Sequence, residues 1–226
     1  CQLDTVSRKR QFIEEKAMKV IVFGATGSVG RLAVERLLAD GHEVTAFARR
    51  PEALEITNPK LKRLTGNVMI PEEVCNAVAG QDAVVVTLGA GSSRTSVVRS
   101  KGTEHIVEAM QHHRVDRLIC QSTLGTGDSW SNLNFFWKRI MFGLLLRPVF
   151  LDHERQEQLV RESELDWTIV RPSAFTDGPA DGNYKVDIPT GERRLRLKIS
   201  RADVAGFLTK CVRDTTFRHR AVGISH

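Results

Sequence analysis

The sequence predicts a single-domain α/β protein: a doubly wound parallel sheet of six to seven strands with helices on both faces, the Rossmann architecture. Three observations predict it. Short β-type apolar runs alternate with helical periodicity from residue 19 to residue 225, which is the mark of successive right-handed βαβ units. The run DAVVVTLG at 82–89 is apolar enough to be buried on both faces, as a central parallel strand must be. The stretch VIVFGATGSVGRLA at 20–33 carries a buried strand into three glycines and then into a helix.

The elements follow in order. KVIVF (19–23) reads as the first strand. Residues 28–40 read as a helix with Leu32, Leu37 and Leu38 facing inward, ended by Gly41. EVTAFA (43–48) and the weaker LKRLTG (61–66) are the second and third strands, and Glu72 to Ala79 is a short helix stopped by Gly80. After the fourth strand at 82–89, a helix pattern covers 96–111, and RLICQS (117–122) is the fifth strand. A polar helix at 153–163 leads into DWTIVRP (166–172), and AVGIS (221–225) can add a seventh strand. Residues 124–150 and 174–197 read as inserted loops. No repeat or linker divides residues 18–226. Residues 1–17 are polar and charged and read as an N-terminal extension, with Met18 standing where a natural start would.

Composition narrows the partners. The net charge of +6 permits nucleic acid, membrane surface or anionic small molecules. The 33 Lys and Arg residues are spread along the chain, without a zinc-finger spacing or a long basic helix, so nucleic acid is not expected. Cys1, Cys75, Cys120 and Cys211 lie far apart with no C-x-x-C, so no metal is expected and a cytoplasmic setting with reduced thiols is. The apolar run FFWKRIMFGLLL (135–146) is broken by Lys138 and Arg139 and is too short to span a bilayer, which takes roughly 20 residues. It reads as core packing of an extra helix, as a lid over an apolar pocket, or as an oligomer or membrane-surface contact.

The glycines set the chemistry. Gly24 allows a tight turn off the strand, Gly27 lets the backbone approach a pyrophosphate, and Gly30 lets the helix pack on the sheet. Free N–H groups at the helix start then face phosphate, helped by the helix dipole. The bland alternative is a purely structural turn. At the end of the second strand, where an NAD site offers Asp or Glu to the ribose, this chain has Arg49 and Arg50. Guanidinium groups match a 2′-phosphate, so NADP (as NADPH rather than NADH) is the expected cofactor.

These residues, with GNV at 66–68, GQDAVVVTLG at 80–89 and ISRADVA at 199–205, resemble the atypical short-chain dehydrogenases/reductases, and within them the biliverdin-IXβ reductase (flavin reductase) type. The resemblance runs from about Met18 to the C-terminus. It implies that Thr26, Ser28 and Val29 line the pyrophosphate with Gly24, Gly27 and Gly30. It puts Arg49 on the 2′-phosphate with Arg50 beside it, Asn67 and Val68 on the adenine, and Leu88, Gly89 and Ala90 under the cofactor's middle. Ser122 and Thr123 fall where the family has a hydroxyl near the nicotinamide, and Pro172, Ser173 and Phe175 wall the ring.

The departures are informative. Ordinary short-chain dehydrogenases use Tyr-x-x-x-Lys, whereas the one tyrosine here, Tyr184, stands in no such pattern. Val149 occupies the tyrosine's place and His153 the lysine's. Asp152-His153 itself matches the biliverdin-IXβ reductase type, but Ala174 replaces a His that follows that type's sixth strand. Ser122, Thr123 and His153 are therefore the catalytic candidates, although a His near the start of a polar helix is more often a surface or capping residue than a proton relay or substrate contact. Trp130, Phe135, Trp137 and Ala174 are candidates for a substrate wall. Without a strong acid, hydride transfer still works on an easily reduced planar acceptor: a flavin, a linear tetrapyrrole or a quinone. The competing expectation is a non-catalytic NADP-binding redox sensor or assembly protein that docks on partners. A sugar-nucleotide epimerase would need the missing tyrosine and a larger substrate domain.

Overall fold

The computed structural model describes residues 17–89, 91 and 95–226; residues 1–16 of the extension, and the Ala90 position, lie outside the described residues. The main sheet has eight strands. β1 (Lys19–Phe23), β2 (Glu43–Ala48), β3 (Leu61–Thr65), β4 (Ala83–Val86), β5 (Arg117–Gln121) and β6 (Asp166–Pro172) run in the order β3-β2-β1-β4-β5-β6, all parallel. β10 (Arg220–Ser225) adds in parallel to β6, and β8 (Lys185–Val186) closes that edge antiparallel. β7 (Ala174–Thr176) and β9 (Lys198–Ser200) form a separate two-stranded parallel ribbon. The main sheet exceeds the expected six to seven by β8, and the ribbon adds β7 and β9; all three come from segments that read as loop or motif.

Strand periodicity explains the two layers. Val20 and Val22 pack against α1 (Ser28–Ala39) and α5 (Arg201–Lys210), while Ile21 and Phe23 pack against α2 (Pro71–Val78) and α3 (Val98–His113). Alternate side chains of one strand therefore feed two cores, and both faces must be apolar. α4 (Arg147–Glu162) completes the second layer beside α3. The sequence places this helix at 153–163; it begins six residues earlier, with Pro148 in its first turn, where a proline costs nothing.

α4 buries a polar face. Asp152, His153, Gln156 and Glu157 are buried with Phe150 and Val160. Each polar group has a partner on another element or in its own turn. Asp152 accepts from the Ser100 N–H at 3.1 Å, Gln156 Nε2 donates to Thr103 at 3.1 Å, and Glu157 takes Arg171 in two bonds of 2.9 and 2.7 Å. Arg171 also pairs with Asp128.

Ahead of α4, residues Phe136–Leu145 form a wide π-helical segment, with Leu146 N–H donating to Met141 O at 2.7 Å. Its inner side joins a third apolar cluster made of Leu124, Leu133, Phe142, Phe150 and Leu197, apart from both main cores. Its outer side leaves Phe135, Phe136, Ile140, Leu144 and Leu145 exposed. Among the described residues no helix is long and apolar enough to cross a membrane.

Candidate functional site

The strand order reverses between β1 and β4, and at a reversal the loops at the carboxyl ends part to leave a crevice. A cavity of about 880 Å³ opens there. One end is the glycine turn. Gly24 holds φ +82°, a conformation open to glycine, and a Cβ there would meet Thr87 O at 2.6 Å. A Cβ on Gly30 would meet Gly24 O at 2.2 Å and Thr87 Oγ1 at 2.7 Å, so α1 seats directly on the turn. Gly27 caps α1 without a side-chain bond, and the first helical bond is Arg31 N–H to Gly27 O. The amides of Ser28, Val29 and Gly30 thus precede the ladder, the arrangement that suits a phosphate.

Most of the expected residues converge on this cavity. Gly24, Thr26, Gly27, Ser28, Val29 and Arg49 line its first end, and Asn67, Val68, Leu88 and Gly89 its middle. Ser122, Thr123 and His153 line the far part with Pro172, Ser173, Ala174, Phe175 and Trp137.

Four residues are placed otherwise. Gly30 is buried behind the turn, and Arg50 is exposed beside the cavity without lining it. Trp130 stacks on Phe150 at 5.3 Å and Phe135 is 74 % exposed, so neither walls the cavity. Both precede the π-helical segment, which supplies Trp137 and Phe142 to the cavity wall instead.

His153 is not a surface or capping residue: it is 8 % exposed. Burial, and then the nearby Arg99 charge, push its pKa down to about 3, against a weaker opposing pull from Gln156. The imidazole is neutral at working pH, with Nδ1 paired to Gln156 Oε1 at 3.2 Å. Thr87, Arg99, Gln121, Phe142, Leu146, Val149 and Leu197 also line the cavity, none of them a site candidate from the sequence. Leu197 sits at φ +53°, unusual for a branched side chain and a sign of local strain beside the site. The side-chain oxygens of Gln121, Ser122 and Ser173 are buried and make no hydrogen bond. Tyr184 is elsewhere, edge-on to Phe207 at 6.4 Å. Away from the cavity, Cys75 Sγ meets His113 Nε2 at 3.3 Å across α2 and α3, a contact no sequence spacing suggests.

A parallel sheet, a glycine turn under a helix start and a long crevice at the switch point define a dinucleotide-binding protein. The chain belongs to the NAD(P)H-binding family, whose model matches residues 24–215. It is 28% identical over 208 residues to the UPF0659 protein YMR090W of Saccharomyces cerevisiae, covering 85% of this chain and 86% of that one. It is 27% identical over 221 residues to the uncharacterized sugar epimerase YhfK of Bacillus subtilis, covering 92% and 94%. The photosystem II assembly factor Ycf39 of Synechocystis is 23% identical over 206 residues, 86% of this chain and 58% of that protein.

Solved structures of the same fold include the oxidoreductase ylbE of Lactococcus lactis, with TM-score 0.79, 22% identity and coverage of 92% and 91%. A short-chain dehydrogenase/reductase of Veillonella parvula in complex with NADP gives TM-score 0.76 at 20% identity, covering 93% and 95%. ChuY, an anaerobillin reductase of Escherichia coli O157:H7, gives 0.76 at 23%, covering 92% and 96%.

Proposed function

We propose that the protein is an NADPH-dependent reductase that passes hydride to a planar conjugated acceptor: a flavin, a biliverdin-like tetrapyrrole or a quinone. The observation that carries this reading is the composition of one continuous cavity. It has a phosphate-ready helix start and Arg49 at one end. At the other it has an apolar wall of Trp137, Phe142, Leu146 and Val149, with no tyrosine among its lining residues. NADPH, when bound, supplies the hydride.

The chain's own residues do the rest. The α1 amides and Thr26 hold the pyrophosphate, and Arg49 selects the 2′-phosphate. Asn67 and Val68 flank the adenine. Pro172, Ser173 and Phe175 wall the nicotinamide side. Trp137 and Phe142 stack on the acceptor and, with Ala174, exclude water around it, so orientation supplies most of the rate. Ser122 and Thr123 offer hydroxyls to the acceptor. His153, neutral and anchored by Gln156, is a hydrogen-bonding wall; the proton that follows the hydride comes from solvent.

The test is NADPH oxidation at 340 nm with flavins, biliverdin and quinones. Turnover with at least one such acceptor, lost with Trp137→Ala, is expected; no turnover above background across all three classes refutes the reading. A second reading, an NADP-binding assembly protein, is supported by the similarity to Ycf39 and by the exposed apolar face of Phe135, Phe136, Ile140, Leu144 and Leu145. It predicts NADPH binding without turnover and a stable protein partner lost when Leu144 and Leu145 become polar.

A further inference from the structure

The cavity has a second charged end. Arg49 and Arg99 are the formal cations among its described lining residues, and no Asp or Glu lines it. They lie on opposite sides of the switch point: Arg49 follows β2, while Arg99 follows β4 and sits against α4.

Arg99 is in a costly place. It lies in the first turn of α3, where the helix dipole opposes a cation. Its Nε and Nη1 are buried without a hydrogen bond. The nearest carboxylate, Asp152, stands 3.7 Å from Nη1, outside hydrogen-bond reach. That carboxylate is already used: it accepts from the Arg99 backbone N–H at 3.2 Å, from the Ser100 N–H at 3.1 Å and from Ser100 Oγ. Asp152 therefore caps α3 and leaves the guanidinium with incomplete compensation. Desolvation accordingly lowers the Arg99 pKa, with Asp152 only partly opposing it. The other groups here give no negative charge. His153 is neutral, and Gln121, Ser122 and Ser173 are uncharged, with side-chain oxygens lacking partners. Four residues lining one end of one cavity thus carry polar atoms without partners, the lining that suits a ligand able to pair them.

Resting on the reductase reading above, we infer that the acceptor is an anion whose carboxylate or phosphate is held by Arg99, with Ser122 and Ser173 as neutral hydrogen-bonding neighbours. A guanidinium suits either oxyanion through paired N–H donors. The neutral apolar wall then takes the conjugated body of the acceptor, and Arg99 sets which way round it lies.

Matched acceptors test this: biliverdin against its dimethyl ester, and FMN against riboflavin, each with wild type, Arg99→Met and Arg99→Lys. Asp152 keeps its backbone partners in both variants, so α3 stays capped. NADPH affinity is measured alongside by calorimetry. Arg99→Met should raise KM for the charged acceptors by about tenfold or more, the worth of one charge-assisted hydrogen bond. The neutral partners and NADPH affinity should stay unchanged, and Arg99→Lys should recover part of the loss. Sensitivity to biliverdin alone assigns a carboxylate site, and to FMN alone a phosphate site. Equal losses for charged and neutral acceptors, or weakened NADPH binding, overturn the inference and give Arg99 to the fold or to the cofactor. If NADPH binds but no acceptor turns over, the reductase reading fails separately. Quenching of tryptophan fluorescence by biliverdin and FMN then decides: quenching lost in Arg99→Met upholds the anion site, and quenching that survives the change, or is absent in wild type, refutes it.

Discussion

Gly30→Ala isolates the contact that joins the turn to its helix. The added Cβ would lie 2.2 Å from Gly24 O, more than 1 Å inside ordinary contact, and 2.7 Å from Thr87 Oγ1. Neither neighbour can swing away. Gly24 O accepts the Gly27 N–H at 2.9 Å, and Thr87 Oγ1 donates to Phe23 O at 3.0 Å. The helix must therefore lift off the turn. Overpacking of this kind costs about 1–3 kcal/mol. Alanine returns at most about 1 kcal/mol of helix propensity, leaving a net loss of up to about 2 kcal/mol. The same displacement moves the α1 amides away from the phosphates, so NADPH affinity should fall about tenfold, worth about 1.4 kcal/mol. Gly206→Ala in α5 is the control: a Cβ there meets nothing within 4 Å, and the change should stabilise by up to about 1 kcal/mol. Urea unfolding and NADPH calorimetry on both variants read the result. Gly30→Ala with parental stability and affinity would refute the argument that this glycine exists for close approach.

Arg49→Ala should weaken NADPH binding about tenfold or more and leave NADH unaffected, the loss expected for a charge-assisted phosphate contact; equal losses for both cofactors would remove Arg49 from the 2′-phosphate. His153 should make the fold acid-sensitive. Its folded pKa is about 3 against an ordinary 6.5, so above pH 6.5 it contributes no pH dependence. Below 6.5 the unfolded chain binds a proton that the folded chain refuses, and stability falls by about 1.4 kcal/mol per pH unit. His153→Gln should therefore improve relative to the parent by about 2 kcal/mol between pH 7 and pH 5 in urea unfolding, and an unchanged gap would show that the imidazole protonates in place. Glu157→Met should cost about 3–5 kcal/mol by stranding the buried Arg171. Asp128→Asn, at the mostly exposed end of the same network, should cost under about 1 kcal/mol, and equal thermal shifts in the two variants would contradict this.

What the sequence makes legible is what apolar patterning encodes. β1, β4, β5 and β6 carry runs of buried apolar residues, and the glycine turn follows from chain order alone. β7, β8 and β9 are two or three residues each and exist through pairing with distant partners, which no local pattern records. α5 is not announced by periodicity, although Ser200 and Asp203 have capping-box spacing and do bond reciprocally. The inward side of α4 is polar, so hydrophobic periodicity assigns His153 to solvent when it is in the interior. Arg99 has no motif, yet a cation in the first turn of a helix runs against the dipole and is the one signal that marks it. Trp130 and Phe135 show the reverse failure: aromatic character alone does not say whether a ring faces the cavity, and Trp130 packs on Phe150 while Phe135 faces solvent.

The polar inward face of α4 has a consequence for how such a site can diversify. Greasy contacts let a helix slide or roll by small amounts, but Asp152 on α3, Gln156 on Thr103 and Glu157 on Arg171 each work in one orientation only. The helix is keyed like a shaft in a slot. Val149, and Leu146 just before it, ride on that shaft and face the cavity, so a change of size there alters the cavity while the polar contacts hold the helix in place. Descendants of this chain can therefore retune which molecule they accept by editing those positions while the cofactor half stays as it is.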